Sequence, residues 1–159
     1  MKLVRIVSGG QTGVDRAALD VALEFGIACG GWCPRGRLAE DGAIALGYPL
    51  TETPSARYEQ RTAWNVRDSD ATLVLAREPL AGGTALTVRL ARRRDRPVLV
   101  VDPGDAARIP EVRRWIEERR VRVLNVAGPR ASGETAAYTR AAAFLRQLLR
   151  HPEVPRERD

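Results

Sequence analysis

The chain has 159 residues, of which 44% are hydrophobic and 29% charged, and this composition is typical of one globular domain rather than of a disordered or fibrous chain. The single histidine, His151, lies in a charged tail, and the two cysteines are too few for a disulfide framework. We therefore exclude a Ser-His-Asp triad, a Cys-His dyad and a two-histidine metal site, and we expect no protein-ligated metal.

The formal net charge of +6 rests on arginine, since Lys2 is the only lysine among 26 cations. This skew is typical of a GC-rich genome, and the scarcity of methionine, asparagine and glutamine fits a thermophilic source. The arginine runs at 92–96 and 113–120 are typical of solvated helix ends, so we do not expect a nucleic-acid partner. No apolar run reaches the length of a membrane span and residues 1–8 do not form a signal peptide, which predicts a cytoplasmic protein with no membrane contact.

Hydrophobic periodicity and glycine positions divide residues 1–150 into strands that alternate with helices, followed by a charged C-terminal tail at 151–159. The alternation predicts one α/β domain over residues 1–150, in which a mostly parallel sheet carries helices on both faces. A long glycine-rich and charged loop precedes residue 53. In chain order the predicted elements are strand 2–8, helix 14–25, strand 27–32, helix 55–69, strand 72–76, helix 84–94, strand 97–102, helix 110–120, strand 121–127 and helix 134–150.

The segments that follow the predicted strands should lie together, because parallel strands end at one edge of the sheet and ligands bind outside that edge. These segments are Ser8–Gly13, Trp32–Asp41, Arg77–Gly83, Pro103–Asp105 and Gly128–Gly133. Three of them carry glycine pairs or polar clusters. The sequence therefore predicts a ligand site at this edge.

The first of these segments joins a strand to a helix through glycines, an arrangement that favours an anion and most often a phosphate. It matches neither the dinucleotide fingerprint nor the P-loop, and no lysine follows its last glycine. The alternative is a tight turn in which Thr12 caps the helix and Asp15 reaches back to it. The candidate binding residues here are Ser8, Gly9, Gly10, Gln11, Thr12, Gly13, Asp15 and Arg16.

The loop after the second predicted strand is dense in residues of functional type. Trp32 suits stacking on a flat ring, and Arg35 and Arg37 suit forked hydrogen bonds to a phosphate or carboxylate. A solvated loop rich in arginine and glutamate is the alternative. Cys29 and Cys33 have no second pair, which favours small buried filler over a zinc site.

A stripe of polar residues runs along predicted helix 55–69, and it either lines the ligand cleft or faces solvent with routine ion pairs. The next predicted helix opens on two glycines and a threonine, whose amides and hydroxyl suit a second part of an anionic ligand. The candidates on these two helices are Arg61, Asn65, Asp68, Gly82, Gly83 and Thr84.

Five stretches resemble, in order, the motifs of the molybdenum cofactor carrier family: Ser8–Arg16, Gly31–Gly42, Tyr58–Asp70, Gly82–Thr87 and Asn125–Arg130. That family belongs to a wider set of Rossmann-like nucleotide-ligand binders. The set includes the cytokinin-activating nucleoside 5′-monophosphate phosphoribohydrolases, once called lysine decarboxylase-like proteins. The resemblance implies a three-layer Rossmann-like fold, a homo-oligomer and a phosphate-bearing ring ligand at the strand ends.

The likeness to the enzymatic relatives leaves two functions open. It places Arg61 at their catalytic arginine, but Thr87 stands where their glycine motif carries a glutamate. That carboxylate would stabilise the positive ribosyl centre of N-glycosidic cleavage. Glu40, Asp41 and Asp68 are alternative sources of it, so the catalytic candidates are Arg61, Asp68 and Glu40.

The missing glutamate moves the prediction from a hydrolase towards a binding protein. We expect a carrier or sensor of the molybdenum cofactor, of molybdopterin or of a mononucleotide, with a molybdoenzyme as its client. The alternative is a phosphoribohydrolase-like enzyme that acts on nucleoside 5′-monophosphates.

Overall fold

Five parallel strands form the central sheet, and the structure, a computed structural model, describes residues 1–150. The tail predicted at 151–159, with His151, lies outside the described residues. In chain order the strands are β1 (Arg5–Val7), β2 (Ala28–Gly30), β3 (Trp32–Cys33), β4 (Leu38–Ala39), β5 (Gly42–Ala43), β6 (Thr51–Glu52), β7 (Ala71–Leu75), β8 (Val98–Val101) and β9 (Val123–Ala127). The helices are α1 (Val14–Glu24), α2 (Tyr58–Arg67), α3 (Gly82–Arg93), α4 (Ile109–Glu118) and α5 (Ala137–Leu149). Over the described residues, none of these helices has the length and apolar character needed to cross a membrane.

The last strand of the chain lies at the centre of the sheet, whose order is β2-β1-β9-β7-β8. Counted from β9 instead of from the N-terminus, this order reads 3-2-1-4-5, which is the order found in dinucleotide-binding folds. The sheet is therefore a circularly permuted Rossmann-like sheet, in which β9 and α5 take the place of the first βα unit. The order reverses between β9 and β7, so the loops after these two strands flank a crevice.

The two faces of the sheet are covered unequally. Helices α1, α4 and α5 pack on one face, where the main core includes Ile6, Leu73, Leu124 and Phe144. Alternate residues of β7 point to opposite faces, so Val74 packs on the other side in a much smaller cluster with α3. Helix α2 packs beside α3 on that second face. The predicted three-layer α/β fold with a parallel sheet is confirmed, and its thinner layer leaves room for a cleft.

Residues 31–53, predicted mostly as a loop, contain two small sheets of their own. Strand β3 pairs in parallel with β6, and β4 pairs antiparallel with β5. Cys33, Ala39 and Ile44 form a separate buried cluster beneath them. Each strand is only two residues long, which is too short for alternation in the sequence to reveal it.

We expect Leu145→Ala to lower the free energy of unfolding by about 2–5 kcal/mol, because Leu145 is fully buried in the main core and its truncation leaves a cavity. Leu46→Ala removes the same atoms from a side chain that is 88% exposed, and this control should change stability by no more than about 0.5 kcal/mol. Chemical denaturation measures both variants. Equal losses would contradict the placement of the core on the α1, α4 and α5 face.

Candidate functional site

A cleft of about 700 Å³ opens at the carboxyl ends of β7 and β9, in the crevice where the strand order reverses. Its volume is typical of small-molecule sites. Four segments line it: the first glycine loop, one face of α2, the stretch from Ala76 into α3, and the stretch from Asn125 to Glu134. The structure thereby brings together eight of the residues predicted from sequence: Gly9, Gln11, Asp15, Arg61, Asn65, Gly82, Gly83 and Thr84.

The Arg61 side chain connects α2 to the first glycine loop. Its Nη1 donates to the Gly9 carbonyl oxygen at 2.8 Å and lies 3.9 Å from Oδ2 of Asp15, and both charged side chains are about 10% exposed. The guanidinium also lies over the Tyr58 ring, 5.1 Å from its centre. Within residues 1–150 its Nη2 donates no hydrogen bond. Every fully buried side-chain nitrogen or oxygen there has a partner, so Nη2 keeps some contact with solvent, and Arg61 lines the cleft. Arg61 therefore presents a positive charge to a ligand.

The first glycine loop is closed around Asp15. The Gln11 N–H donates to Oδ2 of Asp15 at 3.2 Å, the Gly10 N–H to Oγ of Ser8 at 3.4 Å, and the Thr12 N–H to Oε1 of Gln11 at 3.0 Å. Burial raises the pKa of the Asp15 carboxyl, and the neighbouring guanidinium opposes that rise. The N-terminus of α1 thus already holds a carboxylate of the protein itself, in the place where the sequence suggested a ligand phosphate. The loop has the geometry of the tight-turn alternative.

The cap of α1 differs from that alternative in one respect. Gly13, with a φ of 80°, is the residue before the helix, and no side chain of the described residues caps it. The Thr12 hydroxyl instead accepts from the Ala131 N–H at 3.1 Å and donates to the Glu40 carboxylate. A Cβ at Gly13 would meet the Pro129 carbonyl oxygen, so glycine allows the two loops to touch.

The N-terminus of α3 is open, unlike that of α1. The helix has no acidic residue in its first turn, and within residues 1–150 no side chain caps it. The residues from Gly82 to Thr84 line the cleft, and their N–H groups lack acceptors inside the helix. Oγ1 of Thr87 donates to the Gly83 carbonyl oxygen at 2.9 Å, so that hydroxyl proton is used within the helix. The free amides and the helix dipole favour an anion at this end of the cleft.

The polar residues of α2 have two different surroundings. Arg61 and Asn65 line the cleft, whereas Asp68 lies outside it. Asn65 lines the cleft, but it also accepts from the Trp32 N–H at 2.8 Å and donates to the Trp32 carbonyl oxygen at 3.0 Å. The Trp32 ring packs edge-on against Trp64 with centroids 4.8 Å apart, and its Nε1 donates to Asp68 at 2.8 Å. Trp32 and Asp68 therefore lie outside the cleft and fasten the loop after β2 to α2.

The two arginines predicted to fork onto a phosphate also lie outside the cleft. Arg37 has a φ of 55°, and its guanidinium donates to four backbone carbonyl oxygens between residues 44 and 50. Arg35 is exposed on the same loop, and within residues 1–150 its guanidinium forms no hydrogen bond or ion pair. Arg37 therefore organises the chain between β4 and β6.

Arg16 and Glu40 join loops at the rim of the cleft. Arg16 donates to the Gly10 carbonyl oxygen at 3.0 Å and forms a bidentate pair with Asp41 at 2.7 and 2.8 Å. Glu40 accepts from the Ser132 N–H at 3.1 Å in the loop after β9. Ser8 of the first loop donates to the Asp15 carbonyl oxygen at 2.8 Å. The side chains of Ser8, Arg16, Glu40 and Asp41 do not line the cleft.

Sequence reasoning placed the loop after β9 at the correct edge but named none of its residues as candidates. This loop supplies Gly128–Arg130, Gly133 and Glu134, and β9 itself supplies Asn125, while Arg77 and Arg89 line the cleft near α3. A Cβ at Gly128 would lie 2.5 Å from the Leu75 carbonyl oxygen, so the loop packs tightly over β7. The glycines at both ends of residues 128–133 indicate a loop that can approach a ligand closely. Only the strand order shows that this loop lies in the crevice.

Comparison with known proteins identifies a family and a similar solved structure. The profile of the circularly permutated YpsA SLOG family matches residues 6–149. A crystal structure from Syntrophus aciditrophicus SB, described as a "Putative molybdenum carrier protein", is 40% identical and superimposes with a TM-score of 0.91 over 93% of this chain and 96% of its own. No curated protein matches. These matches confirm the resemblance inferred from the motifs.

We expect Arg37→Ala to lower the free energy of unfolding by about 1–3 kcal/mol, because carbonyl oxygens that Arg37 now satisfies lose their donor. Arg35→Ala removes an exposed guanidinium from the same loop and should change stability by about 0.5 kcal/mol or less. Thermal or chemical unfolding distinguishes the two. If Arg37→Ala is as stable as the wild type but binds ligand more weakly, that result would instead support the contact between Arg37 and the ligand that the sequence predicts.

Proposed function

This chain belongs to the circularly permutated YpsA SLOG family, and from that premise we propose that it binds a phosphate-bearing ring ligand and holds it without turnover, as a carrier or sensor. The ligand is the molybdenum cofactor, molybdopterin or a mononucleotide. The observation that carries the proposal is that one cleft contains both the open N-terminus of α3 and the guanidinium of Arg61. Nη1 of that guanidinium is bound to the Gly9 carbonyl oxygen, whereas Nη2 donates no hydrogen bond within residues 1–150.

The charge of the cleft favours an anion. Four arginines and three carboxylates contribute to its lining, which leaves a formal excess of one positive charge. Within the lining Asp15 pairs with Arg61, whereas Glu134, Arg77 and Arg130 pair with Arg140, Asp102 and Glu40 outside it. A cleft with one excess sign of charge raises the local concentration of an oppositely charged ligand. The amides from Gly82 to Thr84 then supply directional hydrogen bonds to a phosphate.

The remainder of the cleft suits a polar ring. Tyr58 supplies an aromatic face, Leu80 and Leu86 supply apolar contact, and the amide side chain of Asn125 supplies polar atoms on the floor. Asn125 is 3% exposed and donates to the Thr72 hydroxyl oxygen at 3.2 Å. Apolar contacts combined with polar groups in fixed positions are typical of sites that orient a heterocycle.

The similar protein from Syntrophus aciditrophicus supports the molybdenum cofactor as cargo, since its description names a molybdenum carrier. Molybdopterin holds its metal on its own sulfur atoms and carries a terminal phosphate, so a carrier has to recognise the phosphate and the pterin ring. Within residues 1–150 no group of three or more His, Cys, Asp or Glu side chains is placed to hold a metal ion. The residues present fit the phosphate and the ring of such a cargo.

The alternative, hydrolysis of a nucleoside monophosphate, has less support from the geometry. Cleavage needs a carboxylate near the ribose, and Thr87 offers only a hydroxyl that already bonds within α3. The substitutes considered from sequence, Glu40, Asp41 and Asp68, do not line the cleft. Loss of one electrostatic group of this kind typically costs about a hundred- to a thousandfold in rate.

The wider parts of the proposal follow from the family resemblance. They are a homo-oligomer and a molybdoenzyme as client, to which the sequence prediction adds a cytoplasmic location. The exposed arginines at 92–96 lie at the far end of α3 from the cleft, which fits solvated charge rather than a nucleic-acid site.

We expect Gly83→Val to weaken the binding of AMP, GMP or a pterin phosphate about tenfold or more, because bulk beside the amides removes charge-assisted hydrogen bonds. An added Cβ at Gly83 meets no atom within 4 Å, so the fold should tolerate the change. Gly47→Val is the matched control, since a Cβ there is equally unhindered. Calorimetry measures the affinities, and an unchanged affinity in Gly83→Val would contradict the phosphate site.

The corresponding change at Gly10 does not serve this test. Gly10 has a φ of 76°, and a Cβ there would approach Leu50 at 2.5 Å and Ile44 at 2.9 Å. Gly10→Val therefore disturbs the fold before it reports on a ligand, although the sequence alone suggested the two glycines as equivalent.

We expect no appreciable release of free base when the wild-type protein is incubated with AMP or GMP, because Thr87 stands at the place of the missing glutamate and the substitutes Glu40, Asp41 and Asp68 do not line the cleft. Chromatography detects the base. Turnover in the wild type that disappears in Gly83→Val would overturn the binding-protein proposal and make this chain a hydrolase.

A further inference from the structure

Glu40 occupies a cluster of hydrogen-bond donors at the rim of the cleft. It lies on the turn between β4 and β5, and its carboxylate reaches two loops that are distant in sequence. The Thr12 hydroxyl donates to Oε1, the Ser132 hydroxyl donates to Oε2, and the Ser132 N–H donates to Oε1 at 3.1 Å. The Arg130 guanidinium lies 3.6 Å from Oε2. One carboxylate thus receives two hydroxyl groups, one amide and one cation.

This set of donors is typical of a phosphate site. Hydroxyl groups, a backbone amide and a guanidinium arranged around one point are what proteins use to bind phosphate and sulfate. The Thr12 and Ser132 hydroxyls also hold the pKa of the Glu40 carboxyl below its ordinary value, so the group is ionised at neutral pH. The protein therefore fills an anion site with an anion of its own.

The donors around Glu40 (Thr12, Arg130 and Ser132), here called the Glu40 cradle, adjoin the ligand cleft. Arg130 and Gly133 line that cleft, and Gln11, which also lines it, accepts from the Glu40 N–H at 2.9 Å. Arg130 therefore belongs both to the lining of the cleft, which includes the open N-terminus of α3, and to the donors around Glu40 at its rim.

Glu40 can leave the cradle at small cost in buried apolar surface. The turn that carries it has Leu38 at 42% exposure, and Ala39 is the apolar residue of β4 that packs inward. The turn is also attached by the bidentate pair between Asp41 and the mostly buried Arg16, and by the hydrogen bond from the Glu40 N–H to Gln11. These attachments do not involve the Glu40 carboxylate, so they hold the turn when that side chain rotates away.

We propose that Thr12, Arg130 and Ser132 form a second anion subsite, that Glu40 fills it in the free protein, and that a second anionic group of the ligand displaces Glu40. This inference rests on the proposed function and separates two kinds of ligand within it: a compound with two separated anionic groups uses both positions, whereas a compound with one phosphate, such as AMP, uses only the N-terminus of α3. A phosphate carries more negative charge and more acceptor oxygens than a carboxylate, so it can replace Glu40 on the same donors.

The test uses inorganic phosphate and a protein whose main site is blocked by Gly83→Val. In that background Glu40→Ala empties the cradle, and calorimetry should show phosphate affinity about tenfold or more above that of Gly83→Val alone. Addition of Ser132→Ala should abolish the gain. Failure of the proposed function appears separately, as wild-type protein whose binding of AMP or pterin phosphate does not depend on Gly83.

Asp41→Ala in the same background is the matched control. It removes one negative charge and one attachment from the same turn, but it leaves the cradle filled. We expect it to change phosphate affinity by about twofold or less, as a general charge effect.

If Glu40→Ala proves unstable by thermal unfolding, Glu40→Gln removes the charge while keeping an acceptor for Thr12 and Ser132, and it should give a smaller gain of the same sign. No gain in either Glu40 variant, or equal gains from Glu40→Ala and Asp41→Ala, would overturn the second subsite.

Discussion

The buried guanidinium of Arg61 is the contact on which the cleft depends. It lies between the Gly9 carbonyl oxygen and the Asp15 carboxylate and so holds α2 against the first glycine loop. Removal of one partner from a buried ion pair leaves the other charge uncompensated, which typically costs about 3–5 kcal/mol. Helices α2 and α3 cover the thin face of the sheet, so the position of Arg61 also sets the distance between α2 and the strand ends. The Arg61 side chain thus positions α2, which forms one wall of the cleft, and also places a positive charge there.

Internal carboxylates decide which strand-end loops are available to a ligand. A backbone amide satisfied by a protein acceptor has no free hydrogen for a phosphate. The Asp15 carboxylate uses the Gln11 amide in the first glycine loop, and Glu40 uses the Ser132 amide in the loop after β9. Helix α3 has no acid in its first turn, and its amides stay open to the cleft. The glycine loops look alike in sequence, but the placement of two carboxylates makes them chemically different.

The permuted strand order makes the site a long-range product of the chain. Strand β9 inserts between β1 and β7, and the loop that follows it supplies one wall of the cleft. The crevice therefore forms only after residues 123–134 dock against strands formed by the first half of the chain. Contacts of this sequence separation are slow to form, because the loop-closure entropy is lost before the pairing stabilises the sheet.

The sequence by itself determined the alternation of strands and helices, the parallel sheet covered on both faces, and the edge at which the polar loops meet. These features follow from periodicity and from glycine positions, which are local properties of the chain. The motifs Ser8–Arg16 and Gly82–Thr87 also identified the family, because several short patterns in a fixed order are specific together.

Only the tertiary structure decided which of those polar groups face the cleft. Trp32, Arg35 and Arg37 have the residue types of a ligand site, but Trp32 packs on Trp64 and Arg37 binds backbone carbonyl oxygens. The deciding hydrogen bonds join residues 52 and 92 positions apart, from Arg61 to Gly9 and from Ser132 to Glu40. A donor is available to a ligand only when no such distant acceptor reaches it, and that depends on how the loops meet in space rather than on the residues that flank the donor.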